Sequence, residues 1–223
     1  VVKVPTKLVT WDEIVEWSMG LARVIKSSGF RPDVIVAVSR GGYVPARLLC
    51  DFLLVDNLVS IQSQHWTEAA KVAEKAIIKY PYKVDLSNQK ALLVDDIVDT
   101  GETLILARDF VLSEWKPKEL KIAALQWISP VAKIKPDFYY IEVKDWVWFQ
   151  YPWTRHEDTV QFIKRALSEE RKSKEVWSFE EIKKAFLDYY GIDVGEEYFK
   201  LALRSLVELG LLKEVDGKYL IKM

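Results

Sequence analysis

Two short runs with no polar member, Val34-Ile35-Val36-Ala37-Val38 and Ala91-Leu92-Leu93-Val94, constrain this chain more than any other feature. A strand with one wet face alternates apolar and polar side chains, whereas a strand buried on both faces is apolar throughout. Leu58 to Gln62, Leu120 to Trp127 and Phe138 to Val143 are further strand candidates. Helical spacing separates them. Ile14, Trp17, Leu21, Val24 and Ile25 recur behind a capping-box pattern, Thr10-Trp11-Asp12-Glu13, and Gly29 can close that helix. A second helix is expected from about Val44 to Leu54, and a third from Thr100-Gly101 to about Trp115. Buried strands alternating with helices predict an α/β fold, a mainly parallel sheet flanked by helices.

Residues 64–90 carry no strong period except a short helical patch near Lys71 to Ile77, which predicts a long, mobile loop. After Arg165 the character changes. Ser168 to Lys174 is polar and charged, as a linker would be, placing a main domain at 1–167 and an appendage at 168–223. In the appendage Ser178-Phe179-Glu180-Glu181 repeats the capping-box pattern, with Phe179, Ile182, Phe186 and Tyr189 at helical spacing behind it. Another helix is expected from about Glu196 to Leu209, capped by Gly210, and Leu211 to Ile221 alternates around Asp216-Gly217 as a hairpin does. The appendage therefore reads as a small winged-helix-like or helical domain.

Composition narrows the partners. Lysine and arginine number 32 against 33 acidic residues, and residues 168–223 hold 10 basic and 12 acidic ones. Neither balance provides the basic footprint of a nucleic-acid-binding protein. Cys50 is the single cysteine, so no internal disulfide framework exists. The opening residues do not read as a signal peptide, and no apolar run approaches the ~20 residues of a membrane span. A soluble, cytoplasmic protein without a membrane partner is expected.

In a parallel sheet, ligands bind at the carboxyl ends of the strands. Two loops fall there. Val94 to Thr103 follows a buried strand with two acids, two apolar residues and a Thr-Gly turn opening a helix. The backbone N–H groups of such a turn receive a phosphate without a lysine, and Asp95 and Asp96 can accept from ribose hydroxyls or organise hydrated Mg²⁺. Ser39-Arg40-Gly41-Gly42 ends the other strand. Its glycines allow close backbone approach to an anion, and Arg40 adds a bidentate donor.

In this order the two loops resemble the signature and pyrophosphate loop of type I phosphoribosyltransferases, over roughly residues 10–165. The resemblance implies 5-phosphoribosyl-1-pyrophosphate (PRPP) and a purine base as substrates, Mg²⁺ as cofactor and a homodimer. Asp95 and Asp96 would hold the ribose and metal; Asp99, Thr100, Gly101, Glu102 and Thr103 the 5′-phosphate; Ser39, Arg40 and Gly41 the pyrophosphate. Glu102 departs from the family, which more often has Gly or Lys there.

The run Tyr139 to Trp153 is similar to the nucleobase hood of the 6-oxopurine enzymes of this family, and the hood spans about 127–155. There Trp148 would stack on the purine and the Phe149 backbone would bond the base edge. Asp99 fits the same group, in which this aspartate contacts N7 and acts as general base. One residue departs. The group has a lysine about nineteen residues before the stacking aromatic, donating to the exocyclic O6, and here that position is Ser129. An ammonium rejects a 6-amino group, donor facing donor, whereas a serine accepts from one. The expectation is a 6-oxopurine framework tuned to adenine, with the 6-oxopurines as the alternative. The 64–90 loop is the expected lid; His65, Lys71 and Lys75 are candidates for reaching pyrophosphate, with a solvated face the favoured place for each. A PRPP-sensing regulator built on a winged helix is the competing class, disfavoured by the acidic tail and by Asp99.

Overall fold

A computed structural model describes residues 3–66, 75–170 and 174–222. In chain order the elements are β1 (Thr6–Leu8), α1 (Trp11–Ser27), β2 (Val34–Ser39), α2 (Tyr43–Leu53), β3 (Asn57–Trp66), β4 (Lys75–Lys79) and β5 (Lys90–Val98). There follow α3 (Glu102–Phe110), prolonged by a π-helical turn to Trp115, then β6 (Glu119–Ile128), β7 (Phe138–Val143) and β8 (Trp148–Gln150). The chain closes with α4 (Arg155–Glu170), β9 (Val176–Ser178), α5 (Phe179–Tyr190), α6 (Glu196–Glu208), β10 (Leu212–Val215) and β11 (Lys218–Ile221).

The chain forms two compact units. One runs from Asp12 to Trp146; the other joins the residues up to Trp11 with those from Val147 onward. The first unit holds a six-stranded sheet in the order β4-β3-β2-β5-β6-β7. All neighbours are parallel except β3 and β4. The two apolar runs are its centre, β2 beside β5, and every residue from Val34 to Val38 and from Ala91 to Val94 is buried. The chain leaves β2 toward β3 on one side and returns to β5 on the other. That reversal opens a crevice at the carboxyl ends of β2 and β5, where a ligand can enter. On α1 the side chains of Ile14, Trp17, Leu21 and Ile25 are buried, but Val24 is exposed, because the core stripe turns past it.

Part of the expected 64–90 loop is strand. β3 reaches Trp66 and pairs with β4, whose Lys75–Lys79 is extended where a helical patch was expected. Cross-strand pairing outweighs the weak local period. Lys71 and the start of that patch lie outside the described residues. His65 and Lys75 fall on the paired strands, His65 opposite Ala76 and Lys75 opposite Trp66.

The second unit has its own core, in which Val160, Phe162, Ile163 and Leu167 of α4 pack with Phe186, Tyr190, Phe199 and Leu206. The boundary expected at 167/168 therefore falls inside α4, whose buried face belongs with α5 and α6. The helix-strand-helix-helix-strand-strand order from α4 to β11, with an antiparallel sheet ordered β10-β11-β9, is that of a winged helix. Ser178 and Glu181 complete the capping box of α5. Asp216 and Gly217 both have positive φ, 50° and 70°, which suits the two-residue turn between β10 and β11. β1 pairs in parallel with β8, Lys7 opposite Phe149. No described helix is long and apolar enough to cross a membrane.

Candidate functional site

The crevice is built from backbone first. The Ser39–Arg40 peptide is cis, and the Gly42 N–H donates to Val38 O at 2.8 Å as α2 begins. A Cβ on Gly42 would stand 2.5 Å from both Val38 O and Val94 O, and one on Gly41 would collide with the Asp96 carboxylate. Neither carbonyl can yield without breaking a strand, so position 42 requires glycine, whereas at position 41 a Cβ would displace the Asp96 side chain. The loop after β2 thus lies directly on the acids of β5. Arg40 is exposed on it.

Asp95 and Asp96 lie within β5, which extends past the apolar run that announced it. Asp95 is buried at 9% exposure. Its Oδ1 accepts from the Asp96 N–H at 2.9 Å, and Asp96 Oδ1 accepts from the Ile97 N–H at 2.9 Å. Burial, followed by the neighbouring Asp96 charge, pushes the Asp95 carboxyl well above the usual range. Two hard oxygen donors suit Mg²⁺ in kind but not in number, since that ion takes six ligands and keeps several waters. Most of its shell would come from water and substrate. Among the described residues no group of three or more His, Cys, Asp or Glu could hold a metal.

Beyond β5 the chain turns through Gly101, at φ 82°, into α3. No side chain caps that helix, so Asp99 does not serve as its N-cap. Asp95, Ile97, Val98, Asp99, Thr100, Gly101, Thr103 and Leu104 line a cleft of about 200 Å³. Its rim combines backbone N–H groups at a helix start with two threonine hydroxyls, an arrangement that receives a phosphate. A Cβ on Gly101 would come 2.7 Å from Ile134 Cγ2, because the loop after β6 lies over this turn and is tied to it by Lys133 N–H donating to Thr100 O at 2.8 Å. The Lys133 ammonium pairs with Glu102. That pair, unforeseen in the sequence, offsets the acid's charge beside this cleft. The Asp99 side chain is exposed at the mouth, and partial burial raises its pKa.

Ser129 follows the carboxyl end of β6, half-buried, with its N–H donating to Val143 O at 3.1 Å. Two lysines follow Ser129 in the loop after β6. Lys133 is paired with Glu102, and the Lys135 ammonium lies 5.0 Å from the Trp127 ring centre and 5.4 Å from that of Tyr139.

Trp148 and Phe149 belong to the other compact unit. The Trp148 N–H donates to Pro5 O at 2.9 Å and Gln150 O accepts from the Val9 N–H at 3.0 Å. Alternation along a strand then turns the Phe149 N–H and C=O away from β1. A backbone donor and acceptor are thereby presented side by side. No motif in the sequence marks Thr6–Leu8 for this task.

The sheet order, the glycine-bound loop after β2 and the acid-to-phosphate turn after β5 define a type I phosphoribosyltransferase. The chain belongs to that family: residues 7–157 match the phosphoribosyl transferase domain, and the protein is a pentosyltransferase. It is similar to the xanthine-guanine phosphoribosyltransferase of Desulfotalea psychrophila, 31% identical over 149 residues that cover 65% of this chain and 84% of that one. The same enzyme of Cereibacter sphaeroides is 31% identical over 154 residues, 65% of this chain and 84% of the relative. A purine phosphoribosyltransferase from Pyrococcus horikoshii superposes with a TM-score of 0.59 at 31% identity, over 67% of this chain and 94% of the other.

Proposed function

We propose that this enzyme transfers the 5-phosphoribosyl group from PRPP to a purine with release of pyrophosphate, and that its preferred base is adenine. The observation that carries the base preference is Ser129, with Lys133 and Lys135 engaged elsewhere. A serine hydroxyl accepts from a 6-amino group, where a lysine ammonium would repel it. The names of the similar enzymes favour a second reading, a 6-oxopurine as acceptor.

In this account the helix start at Asp99 to Thr103 takes the 5′-phosphate, Asp95 and Asp96 the ribose hydroxyls, and Ser39 to Gly41 the pyrophosphate. Mg²⁺, when bound, would neutralise charge on the departing pyrophosphate, with Asp95 and Asp96 as the protein's oxygens toward it. Arg40 adds a guanidinium to the same leaving group. Asp99, as the carboxylate, takes the proton from the imidazole side of the base as N9 attacks the anomeric carbon. Trp148 offers a stacking face and the Phe149 backbone a donor and an acceptor for the base edge. Catalysis is then chiefly positioning and electrostatics.

The family resemblance also motivates a homodimer, to be checked by sedimentation. A PRPP-sensing regulator would read DNA with α6, which exposes Glu196, Glu197 and Glu208 beside Lys200 and Arg204, with Lys200 tied to Glu196. That face repels a phosphate backbone.

Ser129→Lys tests the base preference. The account expects turnover to pass from adenine to hypoxanthine and guanine. A wild type that already prefers an oxopurine would discard the adenine reading and leave the purine transferase standing.

A further inference from the structure

Trp148 stands on a strand of three residues and is 40% exposed. A tryptophan's outer torsion is broad, so a ring held only by packing can swing. A stacking platform that swings draws its ordering cost from the binding of the base. Phe162 and Asp158, both inside the same compact unit, limit that motion. The Phe162 ring meets the indole edge-on, with centroids 5.6 Å apart and planes at 70°. On the indole's polar side, Nε1–H points at Asp158 Oδ2 across 3.4 Å, the long end of a hydrogen bond.

Asp158 is itself fixed. The same Oδ2 accepts from Thr154 Oγ1 at 2.8 Å, and the Asp158 N–H donates to Thr154 O at 2.8 Å. Thr154 lies just before α4 and Asp158 in its first turn. Half-buried, Asp158 has its pKa raised by desolvation, which the bonds from Thr154 and Trp148 oppose. A carboxylate kept in such a place, on a helix whose next turns are committed to the apolar core, has a reason beyond solubility.

We propose that Asp158 is a positioning residue for purine binding, which sets the plane of Trp148 through the indole N–H while Thr154 holds the carboxylate. This rests on the reading of Trp148 as the stacking residue. Asp158 acts on the base through Trp148, so its effect belongs to base affinity and not to the chemical step.

The test is a double-mutant cycle on the full chain, with KM for adenine and hypoxanthine, KM for PRPP, and kcat as readouts. Trp148→Phe keeps an aromatic face and loses the N–H. Asp158→Ala should raise the base KM about fivefold to tenfold, the scale of one hydrogen bond, and leave the PRPP KM and kcat in place. In the Trp148→Phe background Asp158→Ala should add nothing, since the donor is already gone. Asp158→Asn, which retains an acceptor oxygen, should stay close to wild type. A full Asp158→Ala effect in the Trp148→Phe background, or an unchanged base KM in Asp158→Ala alone, would overturn the proposal and spare the stacking reading. An unchanged base KM in Trp148→Ala would remove the stacking reading itself, and the proposal with it.

Discussion

The sheet unit and the unit that carries Trp148 are built for recognition in different ways. At the carboxyl ends of β2 and β5 the proposed ligand surface is largely backbone, with Gly42 compelled by the carbonyls of Val38 and Val94, Gly101 by its positive φ, and Gly41 set against the Asp96 carboxylate. In the other unit the residues proposed to meet the base are held by side chains and by a strand near residue 7: Trp148 by Phe162 and Asp158, Phe149 through the bonds of Trp148 and Gln150 on either side of it. Backbone surfaces cannot adjust, which suits an invariant phosphate. Side-chain surfaces can be retuned one residue at a time, which suits a choice among bases.

Substitution should expose that contrast. The largest effect is expected at Gly42: alanine there presses two strand carbonyls, and Gly42→Ala should cost about 3 kcal/mol of stability, read by urea unfolding. Gly41→Ala meets a side chain instead, so the fold should survive while displacement of Asp96 lowers kcat/KM by about a hundredfold, the scale of a 1 Å misplacement. Equal damage to stability at both glycines would blur the distinction between backbone and side-chain contacts.

Asp99→Asn should lower kcat by about a hundredfold or more, as expected for loss of a general base. The raised pKa fixes the sign of the pH dependence. The carboxylate is the working form, so wild-type activity falls as pH drops through a value above the ordinary ~3.9 of aspartate. That acid limb should vanish in Asp99→Asn. Trp148→Ala should weaken base binding about tenfold, as loss of one aromatic stack does, with the PRPP KM unmoved.

The smallest effect is on stability and runs opposite to activity. Asp95 has a folded pKa raised above its unfolded value, so the folded state binds the proton more tightly and stability falls as pH rises from the unfolded pKa through the folded one. Wherever the buried side chain is ionised, its charge opposes folding. Asp95→Asn should therefore raise stability at pH 7 by about 1 kcal/mol while losing most activity, and the gain should shrink toward pH 4. A destabilised Asp95→Asn would mean that the carboxylate is a structural anchor.

The contrast also explains what could be read beforehand. The β2 and β5 runs, the double glycine and the acid-to-phosphate turn were legible because close backbone approach and two-sided burial leave marks on neighbouring residues. Lys133 with Glu102, β1 with β8, and Asp158 with Trp148 left none, since each joins positions whose spacing obeys no local period. The same reason hid β4, which is extended because it pairs with β3. The boundary expected at 167/168 followed the drop in apolar content after Arg165, but α4 had already turned its apolar face into the second core.

The most direct test of the central claim is pyrophosphate release from PRPP and Mg²⁺ with adenine, hypoxanthine, guanine and xanthine supplied separately. The account predicts release with adenine well above the three oxopurines, with AMP as the co-product. Tight PRPP binding without release for any purine would contradict it.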